Sequence, residues 1–360
     1  MSPHDGERKH GNHSDGGKEL PLVAVTMGDP AGIGPEIVVR SLMRPEIYGA
    51  CRPLVIGAAE MMRETIKLVG GETKINPILV PSEGVYRHGV IDLVDLDNIK
   101  PGDFRYGTVD AACGQAFVDY IRLSAEWAMA GKVDAVASAP TNKESMQAAG
   151  HDYSGQTDIY AEIAGVTDYF TILTGGKMRV YLVSSHVSLK RAIELVTPER
   201  IESVLRIARG SLLDLWKIEN PGIGVAGLNP HAGDGGLFGM EERENIIPVI
   251  EKLRREGFDI TGPVSADALY HQADQGRYDG VIGMYHDQGV IPLKRYGYVT
   301  VIAGTPLLRT TAGHGTAYDI AGKGVANETV MARAISTAAE LASLRKGKAA
   351  GKSADEGASV

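Results

Sequence analysis

Three histidines stand just past apolar, strand-like runs. His186 closes RVYLVSSH, His231 sits in the glycine-rich GIGVAGLNPHAGDGG, and His286 lies in DGVIGMYHDQG beside Asp287. A single loop histidine most often only makes a local hydrogen bond. Three in the same position relative to a strand point to a divalent metal, because imidazole is a common ligand for zinc and related ions. An open three-histidine site also leaves room for substrate oxygens. Their separations are too long for a local motif, so the site requires convergence in space. Cations recur in comparable places: Lys143 in AVASAPTNKE, Lys294 and Arg295 in PLKRYG, Arg309 and His314 in LLRTTAGHGTA. Solvated surface charge is the usual fate of Lys and Arg. Clustering at strand ends favours a small anionic substrate instead, since Arg grips carboxylate or phosphate bidentately. In MGDPAGIGPE, after the first apolar run, Gly28, Gly32 and Gly34 can form a tight turn before a helix opened by Pro35. Such a turn is able to hold an anion at a helix N-terminus, but the spacing is not GxGxxG and a purely structural turn is at least as good a reading.

The elements that must position these residues alternate. Apolar runs at 22–27, 53–56, 134–138, 170–174, 179–183, 222–226, 280–284 and 299–303 read as strands. Amphipathic stretches at 35–42, 58–69, 114–130, 158–164, 198–216, 241–256 and 329–343 read as helices. This alternation predicts βαβ units and a largely parallel sheet, with ligands beyond the carboxyl ends of strands. Polar residues 1–19 and 346–360 read as disordered tails.

Composition excludes several classes. The 360 residues carry a formal net charge of −8, which disfavours a nucleic-acid partner. Two cysteines, Cys51 and Cys113, cannot form a disulfide scaffold. No apolar run approaches a membrane span or a signal-peptide core, so a cytoplasmic protein with no membrane partner is expected. Glycine is abundant, 45 of 360 residues, without a matching excess of proline, a sign of many tight loops in a folded chain.

Together, MGDPAGIGPE, SAPTNKE, GLNPHAGDGG, MYHDQG with PLK, and RTTAGHGTAYDIAGKG resemble the 4-hydroxythreonine-4-phosphate dehydrogenase family over about residues 21–345. HGTAYDIAGKGVAN is also similar to the cofactor loop of isopropylmalate dehydrogenases. The resemblance implies an isocitrate/isopropylmalate dehydrogenase-like α/β fold, two α/β/α domains around a cleft. They would comprise residues 20–145 with 305–345, and residues 146–304 carrying the metal site. It implies His186, His231 and His286 as ligands of one divalent ion (zinc, cobalt, magnesium or manganese), in a homodimer with the active site at the interface. It implies substrate contacts at Gln156, Thr157, Lys294, Thr300 and Arg309. It places NAD, or NADP, at His314, Gly315, Thr316, Ala317, Asp319 and Asn327.

The chain departs from the family at three places. Gln156 and Thr300 stand where the family usually has histidine and asparagine, and Gly313 where it has aspartate. Gly313-His314-Gly315 looks more like terephthalate cis-dihydrodiol dehydrogenases, whereas Arg309 and Gln156-Thr157 look like the phosphate-handling branch. The implied reaction is oxidation of a secondary alcohol in a 4-phosphorylated four-carbon hydroxy acid, followed by decarboxylation of the β-keto acid. The substrate would be 4-hydroxythreonine 4-phosphate, 4-phospho-D-threonate or 4-phospho-D-erythronate, in pyridoxine biosynthesis or in catabolism. The alternatives are a dihydrodiol carboxylate substrate, or a non-catalytic ligand-binding protein of the same fold. Lys143 and Asp287 are both candidates for the general base. Asp267 reads either as an orienter of a metal-bound histidine or as an exposed loop aspartate.

Overall fold

The computed structural model describes residues 19–356. Its twelve strands are β1 (Leu22–Thr26), β2 (Arg52–Gly57), β3 (Lys74–Ile78), β4 (Val90–Asp95), β5 (Ala135–Ser138), β6 (Phe170–Gly175), β7 (Met178–Leu182), β8 (Ile223–Ala226), β9 (Ile260–Val264), β10 (Gly280–Gly283), β11 (Val299–Ala303) and β12 (Arg309–Ala312). They form one mixed sheet in the order β3-β4-β2-β1-β5-β12-β11-β6-β7-β10-β8-β9. Strands such as β1 are buried along their whole length, as expected where helices cover both faces of a parallel sheet.

The sheet contains two parallel blocks, β3 to β12 and β7 to β9. Between them, β11 runs antiparallel to both β12 and β6, and β6 runs antiparallel to β7. Three reversals mean that the blocks run in opposite directions. The expectation of a largely parallel sheet therefore holds inside each block and not across the seam. The strand ends preceding Lys143 and those preceding the three histidines fall on opposite edges.

Residues 21–39 are buried throughout, which decides how MGDPAGIGPE is used. A Cβ on Gly34 would lie 2.5 Å from the Met27 carbonyl oxygen, and one on Gly32 2.8 Å from the Thr316 Cβ. The Ile33 N–H donates to the Thr316 carbonyl at 3.0 Å. These glycines let the first helix (Gly34–Leu42) and the 313–319 loop pack on each other, so the structural-turn reading prevails over anion binding.

Four strands went unread from sequence. β3 (KINPI) is an exposed edge strand with an internal proline, β12 (RTTA) is polar, and β4 and β9 lack a clean apolar run. The last helix spans Thr329–Glu356 and so takes in residues 346–356, expected as tail. That stretch is rich in Ala and Lys, which are good helix formers. Residues 1–18 and 357–360, the remainder of the expected tails, lie outside the described residues. Among the described residues no helix is long and apolar enough to cross a membrane.

Replacing Gly34 by Ala should lower the unfolding free energy by about 1–3 kcal/mol through overpacking, measured by urea denaturation. Gly49→Ala, where a Cβ meets nothing within 4 Å, serves as the control and should be neutral or slightly stabilising. Equal effects at the two positions would contradict the packing role.

Candidate active site

β7 and β10 are neighbours with Leu182 opposite Gly283, so the segments leaving them stay adjacent. His186 follows β7, and His286 opens the helix His286–Lys294 after β10. Their ring centroids are 5.4 Å apart. His286 Nδ1 lies 2.7 Å from the Asp287 carboxylate, which leaves Nε2 for a ligand. An imidazole held by a carboxylate on its other nitrogen is the usual arrangement of a metal-bound histidine. Both histidines line a cavity of about 330 Å³ that also includes Thr171, Arg200, Thr300 and Gly313.

His231 does not join them. Among the described residues, no three metal-capable side chains come together. His231 packs edge-on against Phe238, centroids 6.2 Å apart. It is near enough to Asp267 to help hold that carboxyl below its usual range, after the larger effects of the Ser265 hydroxyl and the Ala268 N–H. The loop itself is strained. His231, Ala232, Gly233, Asp234 and Gly235 all have positive φ, between 43° and 79°. A left-handed conformation costs an L-residue roughly 1–2 kcal/mol, and such strain concentrates at functional sites. One chain thus supplies two imidazoles with the right donor chemistry and presents the third separately.

A second cluster surrounds Arg309, the first residue of β12. Its side chain is fully buried. Nε donates to Ser138 Oγ and Nη1 to Thr157 Oγ1, each at 2.9 Å. The guanidinium lies 4.6 Å above the Tyr160 ring. Burial depresses its pKa to about 10, so it stays charged at neutral pH. Nη2 has no partner, and neither has the buried Oε1 of Gln156. Among the described residues no carboxylate pairs with it. Gln156 and Thr157 occupy the first turn of the helix Gln156–Ala164, where backbone N–H groups lack helical acceptors. An unpaired buried cation beside a helix N-terminus suits a phosphate-type anion. Tyr169 connects the two clusters: it donates to Asp158 at 2.7 Å and lines the histidine cavity.

The other expected residues separate by role. Lys294 is exposed and lies 5.5 Å over the Tyr298 ring, and Tyr298 is itself a wall of the cavity. A side chain at Gly313 would meet Tyr298 at 2.4 Å, so this chain has no room there for an aspartate. Lys143 is exposed at the start of the helix Lys143–Ala148. Asp287 is committed to His286.

In the nucleotide-type loop, Thr316 is buried against Gly32, and Ala317 has φ 43°. His314 Nδ1 sits 3.0 Å from the Gly315 carbonyl. Asp319 and Asn327 are exposed, and the Asn327 side chain accepts the Thr329 N–H. Tyr318 anchors this loop. Its hydroxyl donates to Asp29 at 2.7 Å and lies 3.1 Å from Ser145 Oγ, two residues beyond Lys143. Sequence reading missed Asp29, Tyr169, Arg200 and Tyr298. Of these only Asp29 lies in a motif that the sequence singles out, MGDPAGIGPE, where the glycines carry the reading.

The family described as "Pyridoxal phosphate biosynthetic protein PdxA" matches residues 49–338. A Symbiobacterium thermophilum protein, provisionally named D-threonate 4-phosphate dehydrogenase, is 42% identical over 325 residues, covering 89% of this chain and 97% of its own. The crystal structure of a 4-hydroxythreonine-4-phosphate dehydrogenase from Klebsiella pneumoniae superimposes with a TM-score of 0.82 at 39% identity, covering 90% and 98% of the two chains. That of a Burkholderia phymatum 4-hydroxythreonine-4-phosphate dehydrogenase gives 0.77 at 43% identity, covering 90% and 99%. The protein is accordingly a dehydrogenase, an oxidoreductase whose chemistry implies a nicotinamide cofactor. The chain belongs to the PdxA family.

Burial raises the Asp29 pKa from 3.8 to about 6, against the lowering effect of its bonds from Tyr318 and Ala31. The native state thus keeps a proton that the unfolded chain loses between these values. Stability from this group therefore falls as pH rises from 3.8 to about 6 and is flat above. Asp29→Asn should remove that slope. Relative to the variant, the wild type should lose roughly 2–3 kcal/mol between about pH 4 and about pH 7, at about 1.4 kcal/mol per pH unit. Parallel pH–stability curves by denaturant titration would refute it.

Proposed function

We propose that this protein oxidises the secondary alcohol of a 4-phosphorylated four-carbon hydroxy acid, with NAD as acceptor and a divalent ion, and releases CO₂ from the resulting β-keto acid. The leading substrate is D-threonate 4-phosphate, the compound in the name of the 42%-identical relative. The observation that carries this reading is the buried Arg309 with its unpaired Nη2, set beside Thr157 at a helix N-terminus. A phosphate satisfies that cation, whereas a neutral diol leaves it orphaned. The carboxylated dihydrodiol alternative offers only a carboxylate, with less charge and fewer acceptor oxygens than a phosphate.

His186 and His286 would hold the ion in the cavity, with Asp287 orienting His286. Bound there, the ion would lower the pKa of the substrate hydroxyl and take up the electron pair left when CO₂ departs. NAD would take the hydride, held by the His314–Ala317 loop with Asp319 and Asn327. Either candidate base would remove the hydroxyl proton: Asp287, which lies beside His286, or Lys143, which leaves the opposite edge of the sheet. Lys294 and Thr300 contact the substrate from the Tyr298 side, and Gln156 and Thr157 bind the phosphate with Arg309.

A second copy of the chain completes the metal site. Large apolar side chains are exposed beside each histidine: Val187 (46%) and Leu189 (60%) near His186, Leu237 (73%) and Phe238 (50%) near His231, and Ile291 (67%) near His286. Covering them in a homodimer removes apolar surface from water and joins His231 to the His186–His286 pair.

NADH formation at about 340 nm tests this on a panel of D-threonate 4-phosphate, 4-phospho-D-erythronate, 4-hydroxythreonine 4-phosphate, D-threonate and a carboxylated dihydrodiol. Turnover should require the phosphate and a divalent ion and should release CO₂. Turnover of the dihydrodiol alone would sink the proposal. Arg309→Gln should raise KM for the phosphorylated substrate roughly 10- to 150-fold, the value of a charge-assisted hydrogen bond, with KM for NAD unchanged. Equal changes in both would remove Arg309 from phosphate binding.

A further inference from the structure

Glu242 is an unused buried carboxylate. It is 1% exposed, and among the described residues no lysine or arginine pairs with it. Burial of a carboxylate without a counter-charge is costly unless donors surround it. Here the donors come from one residue. The Asn229 backbone N–H reaches Glu242 Oε1 at 2.7 Å, and its side-chain Nδ2 reaches Oε2 at 2.9 Å. The next acid holds the same group: Asn229 Nδ2 also donates to Glu241 Oε2 at 2.8 Å.

Two glycines of GLNPHAG admit the carboxylate. A Cβ on Gly233 would sit 2.6 Å from Oε2, and one on Gly227 3.2 Å from Oε1. Arg243 Nη1 adds a bond to the Gly235 carbonyl at 3.1 Å. Residues 241–243 therefore grip the loop at Asn229, Gly233 and Gly235, on both sides of His231. They sit where the helix is distorted: Glu242–Ile246 is a π-helical turn ahead of the regular helix Ile247–Arg255. Such turns are rare and recur at functional sites. A run of five left-handed residues persists only if its surroundings over-determine it, and this clamp is what does so.

We propose that Glu242 is a positioning residue that locks the left-handed turn presenting His231 to its metal. The proposal rests on the reading of His231 as a ligand. Its prediction is specific to that ligand. Loss of the clamp leaves the fold and nucleotide binding intact but lets the imidazole wander, and the entropy of fixing it is then paid on metal binding.

The test titrates the full-length protein with cobalt ion, followed by its visible absorption bands, in the wild type, Glu242→Gln, Gly233→Ala and His231→Ala. Glu242→Gln keeps the volume but turns an N–H group toward the Asn229 amide. Its cobalt affinity should fall about 10- to 100-fold, as when partners of metal ligands are removed. The absorption bands should shift, while the NAD dissociation constant stays unchanged. Gly233→Ala attacks the same contact from the loop side and should reproduce the loss even if Glu242→Gln fails to fold. Wild-type affinity and spectrum in either folded variant would overturn the proposal, as would an equal loss of NAD binding. If His231→Ala binds cobalt like the wild type, the metal reading itself fails, and the positioning role fails with it.

Discussion

A fully buried guanidinium with no carboxylate partner among the described residues lies at the seam of the sheet, and much of the structure is arranged around it. Arg309 opens β12, the last strand of the parallel block that begins with β3 and the neighbour of antiparallel β11. Desolvation pushes its pKa down to about 10. The neighbours that compensate are neutral: two hydroxyls and the face of Tyr160. A structural arginine at such depth would be expected to have a carboxylate partner. Its absence, with Nη2 left without a partner, is what supports the proposal that an anion completes the position. The same seam reverses the sheet, so Arg309 and the two histidines come from different blocks, with Tyr169 between them: it bonds to Asp158 beside Thr157 and lines the histidine cavity.

The histidines show what one chain can and cannot assemble. Adjacent parallel strands deliver His186 and His286 side by side. The third comes from a turn of opposite hand, clamped at its base and flanked by exposed Leu237 and Phe238. Strain, a buried carboxylate and exposed apolar surface are each unfavourable in an isolated chain. All three become intelligible if the His231 loop is built for insertion against a second copy.

Much of this was legible in the sequence, for identifiable reasons. The apolar runs that became β1, β5, β7, β8 and β10 are continuous because both sheet faces are covered, and the chemistry follows their ends. Thr157 and Arg309 were singled out and do meet, while Gln156 reaches Thr311, two residues along β12. What stayed hidden depends on long-range packing. Polar β12 carries no hydrophobic pattern. The reversal of direction at β11 and β6 cannot be read from alternation of elements. The glycines of the first loop left a structural turn and an anion cradle both open, because the same residue type serves either use, and only the closeness of Met27 and Thr316 separates the two. Asp287, a candidate base, has its carboxylate against His286 Nδ1, a contact that the sequence does not show. The left-handed turn at His231 and its tie to Glu242 need coordinates, since three of its five residues have side chains that disfavour that conformation.

The central claim is that the buried cation selects a phosphate. Calorimetric titration of the wild-type protein with D-threonate 4-phosphate and with D-threonate, in the same divalent-ion buffer, tests it most directly. The account predicts that the phosphorylated ligand binds at least roughly tenfold more tightly, the lower end for a hydrogen bond to a charged group. Equal affinities for the two ligands would contradict it.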